Sequence, residues 1–127
     1  YDQHSGRIIT KNETYPPYLL SNAWIESNLR IRPADIRLFR VPSNEMSPTL
    51  EIGDTVLIDI SQPTPAPPGI FLFFDGESVS IRRLESIRSG KKRYVRIMPD
   101  NSAYTPAECT PDDLLVIGRA VWVSHAI

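Results

Sequence analysis

The sequence contains little that could bind metals, cross membranes or form disulfides. It has one cysteine, Cys109, among 127 residues, which excludes an internal disulfide framework and predicts a buried structural thiol. No apolar run approaches the length of a membrane span, and the N-terminal stretch lacks the pattern of a secretory signal. The two histidines, His4 and His125, lie at opposite ends of the chain without other ligand types at metal-binding spacing. We therefore expect no metal, no cofactor and no membrane association.

The chain also lacks a large excess of either charge. Fourteen Lys and Arg side chains face 15 Asp and Glu, which gives a net charge of −1 and no general attraction for nucleic acid. Half of the basic residues nevertheless lie between positions 82 and 96. They are Arg82, Arg83, Arg88, Lys91, Lys92, Arg93 and Arg96. A solvated hairpin with edge-protecting lysines is the simpler interpretation, and a contact with DNA phosphates is the alternative.

The length suits one compact domain preceded by a short extension. Residues 1–18 are polar and turn-rich and predict a linker or arm, whereas residues 19–127 predict the folded domain. Because the chain begins at Tyr1 instead of a methionine, we expect a fragment or a processed product. After a possible cap at Ser21 or Asn22, the helical spacing of the apolar residues in 24–29 predicts one N-terminal helix.

Beyond residue 41 the pattern is that of short β-strands. Asp75-Gly76 and Ser89-Gly90 predict hairpin turns, and the four prolines of "QPTPAPP" cannot lie inside a sheet. The apolar end of the chain, residues 114–127, predicts one bent strand or two strands broken near Gly118. The predicted fold class is mainly β, with strands that close into a partly open barrel and one helix at the N-terminus.

The stretch "VPSNEMSPTLEIGDTVLID", residues 41–59, contains the most specific motif. Ser47 is a good N-cap and Pro48 a good first helical residue, so the sequence predicts one tight helical turn over residues 47–51. Glu45 would precede the amino end of this turn, where backbone N–H groups favour negative charge. On position alone, a solvated loop glutamate is the better explanation of Glu45.

These residues resemble the LexA-like and phage-repressor family of self-cleaving serine peptidases. That family carries a Gly-Asp-Ser-Met-x-Pro-Thr-Leu loop, then Gly-Asp and a Val-Leu-Val-Asp-like strand. This chain has "SNEMSPTL" at 43–50, Gly53-Asp54, and "VLID" at 56–59. The resemblance continues in "SVSIRRLE", "MPDNSAYTP" and "VIGRAVW", and covers about residues 19–125. It implies a LexA/signal-peptidase-like β-barrel.

The resemblance places the two catalytic positions on unsuitable residues. The nucleophilic serine falls on Glu45 and the general-base lysine on Arg82. Arginine cannot act as a base near neutral pH, because its pKa stays above roughly 12. Nearby Ser43 and Ser47 have no identifiable base. We predict a Glu45–Arg82 salt bridge in place of the dyad; the alternative is two separate solvated residues of a decayed site.

The resemblance implies the C-terminal dimerisation and regulatory domain of a bacterial or prophage helix-turn-helix repressor. Such a protein is cytoplasmic, nucleoid-associated when DNA-bound, and reads operator DNA as a homodimer through an N-terminal domain. Without a Ser–Lys dyad it would not cleave itself, and an antirepressor protein could inactivate it instead. The predicted dimer contact lies at Val121, Trp122 and Val123. The alternative function is an active peptidase with a nonstandard or engineered dyad.

Overall fold

The structure is a computed structural model that describes residues 8–9 and 21–125. It contains an eight-stranded, entirely antiparallel sheet in the order β1-β2-β3-β8-β4-β5-β6-β7. The strands are β1 (Ile8–Ile9), β2 (Ile36–Arg40), β3 (Thr55–Asp59), β4 (Gly69–Phe74), β5 (Val79–Ser89), β6 (Lys92–Met98), β7 (Ala107–Cys109) and β8 (Leu115–Ser124). The mainly β fold class is thus confirmed, and both predicted hairpins are present, between β4 and β5 and between β5 and β6.

In the described part of the chain, a short helical segment lies between β1 and β2. The Ser21 hydroxyl accepts the N–H of Trp24 at 3.1 Å, which caps helix α1 (Asn22–Trp24). The segment continues as a π-helical turn, Ile25–Leu29, and ends where Arg30 takes a left-handed conformation with φ of 57°. Two 3₁₀ turns, Pro33–Asp35 and Pro111–Asp113, precede β2 and β8. The predicted N-terminal helix is therefore present, with Ile25 buried against the sheet.

Strand β8 joins the two halves of the sheet. It pairs with β3 on one side and β4 on the other, and its register slips once on each side, leaving Ile117 and Val121 as extra residues. Between these bulges lies Gly118, where a Cβ atom would overlap the carbonyl oxygen of Asp59 and lie 2.8 Å from the Ile58 side chain. Of the two predicted alternatives, one bent strand or two strands broken near Gly118, the structure has one continuous strand with bulges.

The sheet curls around its main core. Buried side chains from β2, β3, β4 and β5 meet in one cluster although β8 separates β3 from β4 in the sheet order. The cluster comprises Phe39, Val41, Met46, Leu50, Val56, Ile58, Leu72, Val79 and Ile81. Met46 and Leu50 come from the loop that resembles a peptidase loop, so that loop is anchored at two points by apolar burial.

The prediction of a helical turn at residues 47–51 is wrong. Residues 45–49 form successive turns in which the Leu50 N–H donates to the Met46 carbonyl at 2.9 Å, but no helix follows. The next N–H, that of Glu51, donates instead to the Asp54 carboxylate at 2.8 Å, so the helical pattern cannot propagate. The Ser47 side chain makes no capping bond within residues 21–125, and the Ser47–Pro48 peptide is cis.

The segment assigned to a linker or arm contains a strand. Ile8 and Ile9 pair with Phe39 and Leu38, which places β1 at the edge of the sheet beside β2. The rest of residues 1–18 and His4 lie outside the described residues, so the domain boundary at residue 18 stays a prediction. Among the described residues, no helix is long and apolar enough to cross a membrane.

Candidate functional site

A cleft of about 230 Å³ lies between the Glu45 loop and the beginning of β5. Eleven residues line it: Phe39, Val41, Pro42, Ser43, Glu45, Met46, Ser78, Val79, Ser80, Ile81 and Arg82. Hydrophobic side chains form its floor, because Phe39, Val41, Met46, Val79 and Ile81 belong to the main core. Serines, one carboxylate and one guanidinium provide its polar groups. Both positions that the family resemblance marks as catalytic therefore face one cavity.

The structure brings Glu45 and Arg82 together. Their closest charged atoms, Glu45 Oε2 and Arg82 Nη2, lie 3.5 Å apart, and the side chains are 20% and 21% exposed. The contact is a single ion pair and not a bidentate one, because Arg82 Nη1 donates to the Ile81 carbonyl at 2.6 Å. The second carboxylate oxygen of Glu45 accepts the hydroxyl of Ser43. Neither charged side chain points freely into solvent.

Burial of the Arg82 guanidinium changes its pKa. Loss of water contact lowers the pKa of Arg82 from its usual value, and the negative charge of Glu45 is the largest opposing influence. Tyr104 and Asp75 also raise the Arg82 pKa, with smaller effects. Arg82 thus carries its charge in poorly solvated surroundings, where the nearby carboxylate partly replaces water.

A second loop holds the Glu45 loop in position. The Asn101 backbone N–H donates to the Glu45 carbonyl at 3.0 Å, and the Asn101 side chain donates to the Asn44 carbonyl at 2.9 Å. The Tyr104 hydroxyl donates to the Asn44 side-chain oxygen at 2.6 Å. These three bonds connect residues more than fifty positions apart in the chain. They hold the backbone carbonyls of Asn44 and Glu45 and the side chain of Asn44 in place.

An ion pair anchors this second loop to the sheet. Arg83, on β5 beside Arg82, donates two bonds to the Asp100 carboxylate, at 3.0 and 2.8 Å. Asp100 also accepts the Thr49 hydroxyl at 2.6 Å, so one carboxylate links β5 to the far end of the Glu45 loop. The bonds from Arg83 are the main cause of a lowered Asp100 pKa, and the Thr49 bond lowers it further. Asp100 therefore stabilises the site while it is ionised.

The lowered Asp100 pKa predicts an acid-sensitive contribution to stability. The folded-state pKa lies below the unfolded value of about 4, so the stabilisation is complete above that pH and is lost as the pH falls through the folded pKa. Arg83 is 41% exposed and water screens the pair, so we expect D100N to lower the free energy of unfolding by about 1 kcal/mol at neutral pH. Urea unfolding from pH 7 to pH 2 should show the two proteins converging in acid. A constant difference across this range would contradict the assignment.

Asp54 and Asp59 lie outside the cleft and have local structural roles. Asp54 is 4% exposed, accepts the Glu51 N–H, and lies 2.6 Å from His125 Nδ1. Asp59 is 2% exposed and accepts the Ser61 N–H and hydroxyl and the Gln62 side chain at 2.6 to 2.9 Å. No group of three possible metal ligands occurs in the part of the chain that the structure describes.

The residues predicted at a dimer contact are half-buried within the chain. Trp122 lies edge-on to Trp24, with ring centroids 6.0 Å apart and planes at 69°. Val121 and Trp122 pack against a cluster of Ile25, Ile36, Leu38 and Leu57, whereas Val123 packs on the main core. Trp122 and Val123 pair with β3 on one side, whereas the pairing of β8 with β4 ends at Arg119, so no described strand pairs with the other side of residues 121–123. The contact stays a prediction.

Cys109 is half-buried on β7 and not fully buried as predicted. Its side chain packs beside the cluster of Phe71, Phe73, Leu84 and Val95. Burial raises the pKa of the thiol, and the negative charge of Asp113 raises it further. The thiol therefore stays protonated near neutral pH, which fits a structural role.

Three residues that hold the site could not be predicted from the sequence: Asp100, Asn101 and Tyr104. All three lie in "MPDNSAYTP", a stretch that resembles the family without indicating a role for any single residue. The available signal was composition, since Asp, Asn and Tyr side chains are the usual donors and acceptors of loop-to-loop hydrogen bonds. Their partners lie far away in the chain, so the spacing alone could not identify them.

Comparison with known proteins agrees with this architecture. Residues 6–121 match the family described as Peptidase S24-like. A protein of Haemophilus influenzae (strain ATCC 51907 / DSM 11121 / KW20 / Rd), named as an uncharacterized HTH-type transcriptional regulator, is 26% identical over 123 residues. The match covers 94% of this chain and 48% of that protein, so the chain spans about half the length of this curated relative. The match to the family model covers most of the sequence, and the chain belongs to the Peptidase S24-like family, the LexA-like family that its Glu45 loop resembles.

Proposed function

We propose that this chain is the regulatory and dimerisation domain of a helix-turn-helix transcriptional repressor that does not cleave itself. The family match and the name of the similar regulator support a role in regulation. The similar regulator is about twice as long as the matched region, which leaves room for a DNA-reading module. In such a protein the domain would raise the effective concentration of two DNA-reading modules at paired half-sites. It would act in the cytoplasm, on the nucleoid when bound to DNA.

The ion pair in the cleft is the observation that carries the non-cleaving part of the proposal. In this family acyl transfer needs a hydroxyl nucleophile and a lysine base at these two positions, and the ion-paired Glu45 and Arg82 supply neither a hydroxyl nor a neutral amine. The Glu45 carboxylate accepts the Ser43 hydroxyl and faces Arg82, so its charge is already engaged on both oxygens. The scaffold around the loop is retained, while the atoms that would perform hydrolysis are replaced. Regulation would then depend on a bound partner such as an antirepressor protein.

Self-cleavage is the direct test of this proposal. The full-length protein, incubated at alkaline pH or with activated recombinase filament, is expected to remain one intact species by mass spectrometry. The same protein should sediment as a dimer or larger species at high micromolar concentration. Specific cleavage upstream of residue 19 would contradict the non-cleaving function, and a purely monomeric protein would contradict the dimerisation role. The double variant E45S/R82K then shows whether the scaffold still supports the Ser–Lys chemistry of the family.

The contact between Ser43 and Glu45 favours one alternative function. A carboxylate that accepts a serine hydroxyl can in principle act as its general base, so Ser43 could serve as a displaced nucleophile. The nearby positive charge of Arg82 makes Glu45 a weaker base, which argues against this role. If the full-length protein does cleave itself, S43A should abolish the reaction under the alternative. S47A is the matched control, since Ser47 lies outside the cleft lining.

A further inference from the structure

The hairpin formed by β5 and β6 projects beyond the rest of the sheet. The pairing of β4 with β5 ends at Leu84, and the pairing of β6 with β7 ends at Val95. From these points outward the two strands pair only with each other, as far as Ser89 opposite Lys92. At about 3.3 Å per residue, this two-stranded ribbon extends roughly 10 Å past its neighbours. Residues 88–93 at its tip, called here the basic tip, are all exposed.

The basic tip carries positive charge without local compensation. Arg88, Lys91, Lys92 and Arg93 lie within six residues, and the sequence from 86 to 95 contains no carboxylate. Lower on the hairpin, Arg96 faces Glu85 and Glu108, and Arg83 faces Asp100. Among residues 21–125, no acidic side chain forms an ion pair with any of the four tip residues. The charge concentration contrasts with the net charge of −1 for the whole chain.

The arrangement of these charges works against the stability of the hairpin. Arg88 and Arg93 are directly opposite each other, and like charges in this position destabilise a pair of strands. The turn itself is tight: Gly90 has φ of 65° and only Gly90 and Lys91 separate the strands, so the tip has little freedom to separate its charges. An anionic partner would relieve this repulsion, whereas edge protection would not require two arginines face to face.

The cations also lie on both faces of the ribbon. Directly opposed residues share a face and successive residues alternate, so Arg88 and Arg93 lie on one face and Lys92 lies on the other, with Lys91 in the turn. A flat anionic surface could contact only one face. A groove of duplex DNA presents a phosphate backbone on each side, and the major groove admits a two-stranded β-ribbon.

We propose that the basic tip is a second DNA contact of the repressor, which enters a groove of the duplex and binds phosphates on both sides. The inference rests on the proposed function, because the domain must be carried to DNA by a helix-turn-helix module. The contact would be independent of base sequence, since the side chains available are cations suited to phosphate oxygens. It would add affinity and fix the orientation of the domain on the duplex.

The salt dependence of DNA binding by the full-length protein tests the proposal. A mixed-sequence duplex serves as the probe, and R88Q/R93Q is compared with R30Q/R40Q, which removes two exposed arginines from another part of the surface. If both tip arginines contact phosphates, the slope of log Kd against log salt should fall by about 2 in R88Q/R93Q. Affinity at low salt should fall roughly tenfold or more, while R30Q/R40Q stays close to wild type.

The outcomes of this experiment distinguish failure of the basic tip as a DNA contact from failure of the proposed repressor function. Equal slopes and affinities for R88Q/R93Q and R30Q/R40Q would overturn the basic tip as a DNA contact and would favour an acidic protein partner for it. The proposed repressor function would survive that result. If the wild-type protein binds no duplex at all, both the repressor function and the DNA contact are overturned. Circular dichroism of each variant checks that its fold is intact, and K91Q/K92Q gives a second pair of tip substitutions for the same comparison.

Discussion

G118A is expected to lower the free energy of unfolding by about 3 kcal/mol, the upper part of the range for overpacked sites. A Cβ at Gly118 would overlap the Asp59 carbonyl oxygen and lie 2.9 Å from its carbonyl carbon. These are backbone atoms of the adjacent strand β3, so no rotamer change can relieve the overlap. Strand β8 would have to move away from β3, at the place where it joins the two halves of the sheet. Urea unfolding followed by tryptophan fluorescence measures the loss.

G69A is the matched control for this prediction. A Cβ at Gly69 would also be too close to another atom, but the obstacle is the end of the Arg119 side chain. That side chain is flexible and can move aside, at the expense of its bonds to the Gln62 side chain and the Pro67 and Pro68 carbonyls and of its position 4.5 Å above the Phe71 ring centroid. We expect G69A to cost about 1 kcal/mol or less, because replacing glycine also restricts the unfolded chain. Equal losses for G118A and G69A would contradict the proposed role of backbone overlap.

E45A is expected to destabilise the chain by about 2 kcal/mol, because it leaves the Arg82 guanidinium half-buried without its carboxylate. The value lies below the roughly 3 to 5 kcal/mol of fully buried pairs, since both side chains retain about a fifth of their exposure and the ion-pair distance is 3.5 Å. The burial that lowers the Arg82 pKa also removes the water that could replace Glu45. Denaturant unfolding at neutral pH measures this loss.

A double-mutant cycle separates a stranded charge from simple loss of packing. R82M keeps most of the apolar length of the arginine stem and removes its charge. If Glu45 and Arg82 are coupled, E45A/R82M should be more stable than the sum of the two single losses implies, by about 1 kcal/mol. E51A, which truncates an exposed glutamate of the same loop, is the control and should change stability by less than about 0.5 kcal/mol. Additive losses would show that Arg82 reaches water when Glu45 is absent.

The sequence predicted most of the sheet, because its signals are local. The turn residues Asp75-Gly76 and Ser89-Gly90 lie between alternating strands, and both hairpins form where they indicate. The helix start at Ser21 was also predictable from a capping side chain. Local signals did not show that the helical turn predicted at 47–51 would fail to form. Ser47-Pro48 favours a helix start, but Asp54 takes the Glu51 N–H and ends the pattern.

The candidate site was predictable only through resemblance. Nothing in the spacing between Glu45 and Arg82 indicates that the two side chains meet. Glu45 lies in the loop before β3 and Arg82 on β5, so the strands β3 and β4 lie between them in the sequence. The family motif supplied the pairing, and the structure adds the 3.5 Å distance and its single ion-pair geometry. The hydrogen bonds from Asn101 and Tyr104 to the Glu45 loop join loops that are far apart in the sequence, and no local pattern indicates such contacts.

The central position of β8 has a consequence for how the chain folds. Strands β2 and β3 form one ribbon, and β4 to β7 form a separate meander, and among the described strands β8 alone pairs with both parts. During synthesis both parts emerge before their common partner, and each presents an unpaired strand edge until β8 arrives. The sheet therefore cannot be completed progressively from the amino end. Its closure depends on contacts between residues far apart in sequence, so we expect slow folding for a domain of this size and a nascent chain that is prone to aggregate before β8 is made.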